Sequence, residues 1–327
     1  LKGKNRPPSR FQLRRDYTDE FFSLLPFSPT QAQRRAVREA MADLMGGSCM
    51  NRLIQGDVGS GKTAVAAALC YSVVKNGFQA ALMAPTEILA RQHFGVLSRL
   101  LEPAGIRVAL LTGSIPAARR KTILSGMEDG TVGLTVGTHA LFSKDVRFCR
   151  LGLVVTDEQH RFGVAQRAAL SAKGSHPHLL VMSATPIPRT LALMIYGDLD
   201  LSVLDELPPG RREIKTYAVT SDKRGRVFSF LKKRLAEGRQ CYIVCPAIEE
   251  GEGGVASVER YAEKLRSEWL RGFPVEVLHG RMKAREKEDV MRRFSSGEIG
   301  VLVSTTVVEV GVDVPNATVM VVENAER

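Results

Sequence analysis

The run Gly56-Asp57-Val58-Gly59-Ser60-Gly61-Lys62-Thr63 has the G-x-x-x-x-G-K-[ST] spacing of a phosphate-binding loop. Glycines let backbone N–H groups converge on phosphate oxygens, and the helix that follows adds its positive end. Lys62 then brings a point charge to the terminal phosphates, and Thr63 offers a hydroxyl to magnesium. A second run, Leu153-Val154-Val155-Thr156-Asp157-Glu158-Gln159-His160, ends an apolar stretch on two carboxylates. Asp157 is expected at the carboxyl end of a central strand, where α/β sheets bind ligands, and there it would hold the magnesium. Glu158 beside it is placed to orient the attacking water. The chemistry implied is hydrolysis of a magnesium–nucleoside triphosphate, with Lys62, Asp157 and Glu158 as the catalytic groups.

Such residues must be presented by a parallel sheet flanked by helices, and apolar runs do alternate with amphipathic stretches along the chain. Strands are predicted at 53–55, 80–84, 108–112, 134–136, 153–156 and 179–183, with helices at 62–74, 87–101 and 116–127. Asp205-Glu206-Leu207-Pro208-Pro209-Gly210-Arg211-Arg212 suits neither a helix nor an inner strand and reads as a linker. Beyond it the pattern restarts, with strands predicted at 214–219, 241–245, 275–278, 301–304 and 319–322. Ser221 is expected to cap a helix through Phe228, Leu231 and Leu235 that Gly238 closes, and a second helix is predicted over 258–270. Trp269 on that helix is read as packing rather than base stacking.

Size and charge narrow the partners. The 327 residues suffice for two domains, with 44% hydrophobic and 25% charged residues. A net charge of +11 favours a polyanion, and residues 1–15 carry Lys2, Lys4, Arg6, Arg10, Arg14 and Arg15 without an acid. Five cysteines without a C-x-x-C pair indicate neither a disulfide framework nor a zinc ribbon, and Cys241 and Cys245 read as buried small hydrophobes. His176 and His178 are expected in a surface turn. The longest apolar stretch, 64–74, is too short to span a bilayer, so a cytoplasmic protein without membrane contact is expected.

Asp157-Glu158-Gln159-His160 resembles motif II of superfamily 2 helicases and translocases, and further motifs follow the order of that superfamily. Ala84-Pro85-Thr86-Glu87-Ile88-Leu89-Ala90 resembles motif Ia, Val136-Gly137-Thr138-His139 motif Ib, and Ser183-Ala184-Thr185-Pro186 motif III. Leu278-His279-Gly280-Arg281-Met282 resembles motif IV, and the run from Ser304 to Asp313 resembles motif V. Within the superfamily, Leu25–Gln33, Asp157–Val164, Ala184–Thr190 and Asp205–Arg211 are similar to the RecG family of ATP-dependent DNA helicases.

The resemblance implies an α/β fold of two RecA-like P-loop NTPase lobes with parallel sheets, the second truncated at its C-terminus. Its division would be a basic connector at 1–20, a first lobe carrying the ATP site at 21–204, a linker at 205–213 and a second lobe at 214–327. It implies that Gln33 reads adenine and that Asp313 joins the ATP site. Ser183, Thr185 and His160 would couple hydrolysis to lobe movement, and Thr86, Thr138, Thr305 and Thr306 would line a DNA track that reads no bases. Threonines at strand ends also serve simply as helix caps. ATP and magnesium would be the cofactors, and branched or duplex DNA the partner of a monomer acting in repair and recombination.

The family's wedge domain and its motif VI, with an arginine finger, have no counterpart in the sequence. A fragment so built is expected to bind ATP, to turn it over slowly and to leave an apolar face of the second lobe uncovered, since losing such a finger costs roughly a thousandfold in rate. A transcription-repair coupling translocase is the second choice, because it would be expected to show Glu at Gln159 and a bulky residue at Ser60. A nucleotide-regulated DNA-binding fragment with little turnover is an alternative of another class. A metabolic P-loop kinase is disfavoured, having no use for a second sheet domain bearing Ser304–Asp313.

Overall fold

The computed structural model describes residues 8–9, 11–157, 176–184, 199–206, 214–245, 252–305 and 314–325. The chain divides into two compact units, Leu1–Arg212 and Glu213–Arg327.

In the first unit α1 (Thr18–Leu24) and α2 (Gln31–Met45) precede β1 (Asn51–Gly56), α3 (Lys62–Lys75), β2 (Gln79–Met83) and α4 (Glu87–Leu101). Next come β3 (Val108–Leu111), α5 (Ala117–Glu128), β4 (Leu134–Gly137), β5 (Leu151–Asp157), β6 (His178–Ser183) and β7 (Asp200–Leu204). The strands form one sheet in the order β3-β4-β2-β5-β6-β1-β7, with every pairing parallel. Strands covered on both faces have no polar side to show, which is why β2, β3 and β4 are buried at every position. α3 is a core helix, with all residues from Val65 to Val73 buried. α4 starts where the Thr86 hydroxyl accepts the Leu89 N–H.

The predicted strands and helices of this unit agree with the structure to within two residues at each end, and α1, α2 and β7 are additions. It pairs with β1, setting Leu204 beside Gly56. His178 is a correction, because the turn expected there is the start of a strand and the ring is fully buried. Its Nδ1 accepts the Met50 N–H at 2.9 Å, which leaves Nε2 to face Ser9 Oγ at 2.9 Å and Phe11 O at 3.2 Å. The leading segment is tied down further. The Ser9 N–H donates to Gly47 O and the Leu13 N–H to Leu44 O, both at 3.0 Å, and the Arg14 and Arg15 N–H groups share Asn76 Oδ1.

The second unit holds α6 (Arg224–Ala236), β8 (Gln240–Val244), α7 (Glu252–Lys264), β9 (Val275–Leu278), α8 (Ala284–Ser295), β10 (Val301–Ser304) and β11 (Ala317–Val322). Its parallel sheet runs β11-β8-β10-β9. Three expectations are corrected. Residues 214–219 are not a strand: Ile214, Tyr217 and Val219 are 76%, 75% and 53% exposed, and their spacing would not place all three on one strand face. Ser221 caps nothing, because it opens a short 3₁₀ turn, Ser221–Lys223, that leads into α6. The predicted helix 258–270 starts earlier, at Glu252, is α-helical to Lys264 and then continues as a π-helical turn, Leu265–Trp269.

Trp269 stacks on Phe228 with ring centroids 4.9 Å apart, against a core that includes Cys241 and Cys245. β11 packs the partly buried Val319 and Val321 against that core and turns Met320 and Val322 outward, 61% and 51% exposed. Among the described residues no helix is long and apolar enough to cross a membrane.

Candidate nucleotide site

β1 delivers the chain to the phosphate loop, and the buried α3 takes it away, so the loop is fixed at both ends. Gly59 and Gly61 turn it with φ of 81° and 85°, values that L side chains resist. A Cβ on Gly56 would lie 2.6 Å from Ser60 Oγ and 2.9 Å from Leu204 Cβ, and one on Gly61 would lie 2.1 Å from Gln33 Nε2. Gly61 is also the N-cap of α3 and contributes no side-chain acceptor, so the positive end of the helix faces the loop without a side-chain cap. Ser60 is fully buried, and its Oγ has no hydrogen-bond partner among the described residues. The Lys62 ammonium lies across the loop, donating to Gly56 O at 2.6 Å and Asp57 O at 2.9 Å.

Gln33 reaches this loop from α2. Its Oε1 accepts the Thr30 N–H at 3.0 Å while Thr30 Oγ1 accepts the Gln33 N–H at 3.2 Å, a reciprocal cap. Its Nε2 donates to Ser60 O at 2.9 Å, and the residue is 2% exposed. Both ends of the amide are thus engaged within the protein, and the glutamine braces the loop's backbone. The family resemblance implies that Gln33 reads adenine, and in the structure the same amide contacts the phosphate loop.

Asp157 ends β5 beside Met182 of β6, and Met182 in turn lies beside Ile54 of β1. Two strand spacings, roughly 10 Å, therefore separate the carboxylate's backbone from β1, two residues before the loop begins. Ser183 sits between them, 2% exposed and beside Gln55. The donors on this rim suit the group they are expected to hold. Left-handed glycines form a cradle that side chains would fill, and an ammonium spans it. A carboxylate and the half-buried Thr63 hydroxyl are hard oxygen donors of the kind magnesium takes alongside phosphates. Among the described residues no cluster of three or more His, Cys, Asp or Glu side chains is set up to hold a metal by itself.

One contact has no signal in the sequence. His93, on α4, places Nε2 2.6 Å from Asp157 Oδ2, with the two side chains 10% and 15% exposed. Its partner is 64 residues away, and only the fold brings them together. A second polar cluster joins the start of α4 to the end of β3. Glu87 Oε1 accepts from Thr112 Oγ1 at 2.6 Å, Arg91 Nη2 at 2.7 Å and Ser114 Oγ. Burial works to raise the Glu87 pKa, but the Ser114, Thr112 and Arg91 hydrogen bonds outweigh it and hold the carboxyl below its ordinary value.

Thr86 and Thr138 follow β2 and β4, which are paired strands with Met83 beside Gly137, so both threonines fall on the rim that carries Asp157. Thr86 caps α4 through its hydroxyl, and Thr138 is half-buried with its N–H on Leu111 O. Thr305, in the second unit, is 5% exposed with an unpartnered hydroxyl and its N–H on Leu278 O. Glu158, His160, Thr185, Thr306 and Asp313 lie outside the described residues.

A phosphate cradle and an acidic strand end on one rim of a parallel sheet, followed by a second parallel sheet unit, have the layout of a helicase-type P-loop core. The DEAD/DEAH box helicase model matches residues 30–194 and the helicase conserved C-terminal domain matches residues 223–327, so the chain belongs to the DEAD/DEAH box helicase family. Its relatives include proteins described as ATP-dependent DNA helicase RecG. The one from Synechocystis sp. is 52% identical over 311 residues, spanning 94% of this chain and 37% of that protein. The one from Bacillus subtilis is 49% identical over 312 residues, 94% of this chain and 45% of that protein. The chain thus spans less than half the length of these relatives, and the RecG resemblance read from the motifs holds across the span they share.

Among solved structures, RecG bound to a three-way DNA junction superposes with a TM-score of 0.81 at 43% identity, covering 94% of this chain and 40% of that one. The helicase MrfA bound to DNA shares the fold at a TM-score of 0.66 and 18% identity, over 98% of this chain and 50% of its own.

Proposed function

We propose that this chain is the motor portion of a RecG-type helicase that hydrolyses ATP to move on DNA and remodel branched substrates, stalled forks and junctions, in repair and recombination. The observation that carries this reading is one rim of one sheet: the glycine cradle, Lys62 and Asp157 lie along it, and the threonine-bearing loops after β2 and β4 lie farther along the same edge. Lys62 exchanges its two loop carbonyls for the terminal phosphates. Thr63 and Asp157 would hold magnesium, which would supply neutralisation of charge on the phosphoryl oxygens. Glu158 orients the water, Asp313 completes the ATP contacts, and Ser183, Thr185 and His160 pass the change in phosphate contacts toward the DNA track of Thr86, Thr138, Thr305 and Thr306. Phosphate contacts without base readout suit a motor that must move over any sequence. The protein acts as a monomer in the cytoplasm, with duplex or branched DNA as its partner.

The test is ATPase activity of the full-length protein with no DNA, linear duplex or a model fork, with Lys62→Ala alongside. Forks should stimulate most and the variant should be inactive. Equal rates with and without DNA would sink the motor reading, and stimulation by linear duplex alone would favour a translocase of the transcription-coupled kind.

A further inference from the structure

We infer that His93 is the positioning residue that sets the magnesium carboxylate, Asp157, in its binding orientation. This inference rests on the nucleotide-site reading above and adds to it a residue that no motif marks. Three observations carry it. The contact is direct, Nε2 to Oδ2 at 2.6 Å, and both side chains are largely withdrawn from water. It engages one oxygen of a group that has two, so Oδ1 is left for a cation. And His93 is itself 8% exposed, on the buried stripe of α4 that also carries Leu89, Ala90 and Leu97, so swinging it out would cost burial.

A carboxylate at the end of a strand can rotate about its Cα–Cβ and Cβ–Cγ bonds. One hydrogen bond from a buried ring removes most of that freedom, so the entropy of fixing the ligand is met during folding rather than on metal binding. The helix that carries the ring has its own outer end at Thr86 and the Glu87 cluster, seven residues earlier, about 10 Å along the axis. α4 therefore spans from the proposed nucleic-acid edge to the metal carboxylate as one rigid piece. No other described helix makes both contacts.

The 327-residue chain can be tested with a fluorescent ATP analogue titrated at a series of magnesium concentrations. In His93→Ala, nucleotide binding in chelator should be unchanged while the magnesium needed for half-maximal binding rises about tenfold. His93→Gln, which keeps a donor, should recover most of that shift. An unchanged magnesium requirement in a His93→Ala protein of normal melting temperature would overturn the inference.

Should the alanine variant fail to fold, the unaltered chain still decides. Its His93 ring nitrogen signals should move on adding magnesium–nucleotide and stay put with nucleotide in chelator. Signals that ignore magnesium would overturn the assignment. A wild-type chain that binds nucleotide with no magnesium dependence at all would instead overturn the nucleotide-site reading beneath it.

Discussion

Gln79 and Gln240 do the same job in the two units. Gln79 opens β2, and its amide donates to Met127 O at 2.9 Å and Val132 O at 2.8 Å, where α5 gives way to β4. Gln240 opens β8 and donates to Phe294 O and Ile299 O, where α8 gives way to β10. In each case the two strands are parallel neighbours, and the glutamine is 3% exposed. One strand–helix–strand corner, locked by one buried amide, has been used twice. What differs is the opposite rim. The first unit ends its strands on a glycine cradle, an ammonium and a carboxylate, while the second ends the described strands on Val244, Leu278, Ser304 and Val322. The scaffold is shared and, among the described residues, the glycine cradle belongs to one copy, so fold alone would not have told the two apart.

The sharpest way to break this comparison is at the lysines. Lys62→Ala should weaken nucleotide binding by about a hundredfold, the scale of hydrogen bonds to a charged group. Lys287→Ala, which removes an exposed lysine bonded to Gly280 O in the second unit, should leave it unchanged. Fluorescent-nucleotide titration reads both, and equal losses would mean that the division of labour is wrong.

Next in size are the two glutamines. Gln79→Leu and Gln240→Leu should each cost about 2 kcal/mol, by stranding buried carbonyls. Hydrogen exchange should place each loss in the unit that carries the substitution. Protection falling equally in both units would show that the corners are not independent.

Gly61→Ala should cost about 1–2 kcal/mol from its left-handed backbone alone. It should also loosen nucleotide binding, because the new Cβ displaces Gln33 from the loop; a urea melt and a nucleotide titration check the two parts. The smallest effect is at His178. Burial lowers its pKa from the usual 6.5, against the opposing pull of the Phe11 carbonyl and Asp43. The unfolded chain therefore takes up the proton first, so the stability it contributes is complete above pH 6.5 and drains away as pH falls through the lower native value. Melting temperature should drop on acidification across that window, and His178→Gln should flatten the slope.

Much of the first unit was legible because its strands are continuous apolar runs and its loop chemistry is local. Gly56 to Thr63 can be read without knowing any distant residue. β7 was not legible, since Asp200-Leu201-Ser202-Val203-Leu204 is short and mixed and becomes a strand only because β1 offers it an edge. Residues 214–219 show the reverse case, β-prone residues with no described strand beside them. His178 and His93 were beyond reach for one reason: each depends on partners brought in from far along the chain, Ser9 and Met50 for one and Asp157 for the other. Gln33 entered the reading only through the family resemblance, as a reader of adenine, and its contact with Ser60 O arises from three-dimensional packing that no spacing shows.

The leading segment, through Ser9 and residues 11–15, attaches at the foot of the first sheet, with His178 as one of its anchors. His178 begins β6, and β6 is wedged between β5, which finishes at Asp157, and β1, which finishes at the glycine cradle. Traction on that segment would therefore travel up a single strand and arrive between the cation's carboxylate and the cradle. A tug at the far side of the sheet would shift the spacing between Asp157 and the glycine cradle.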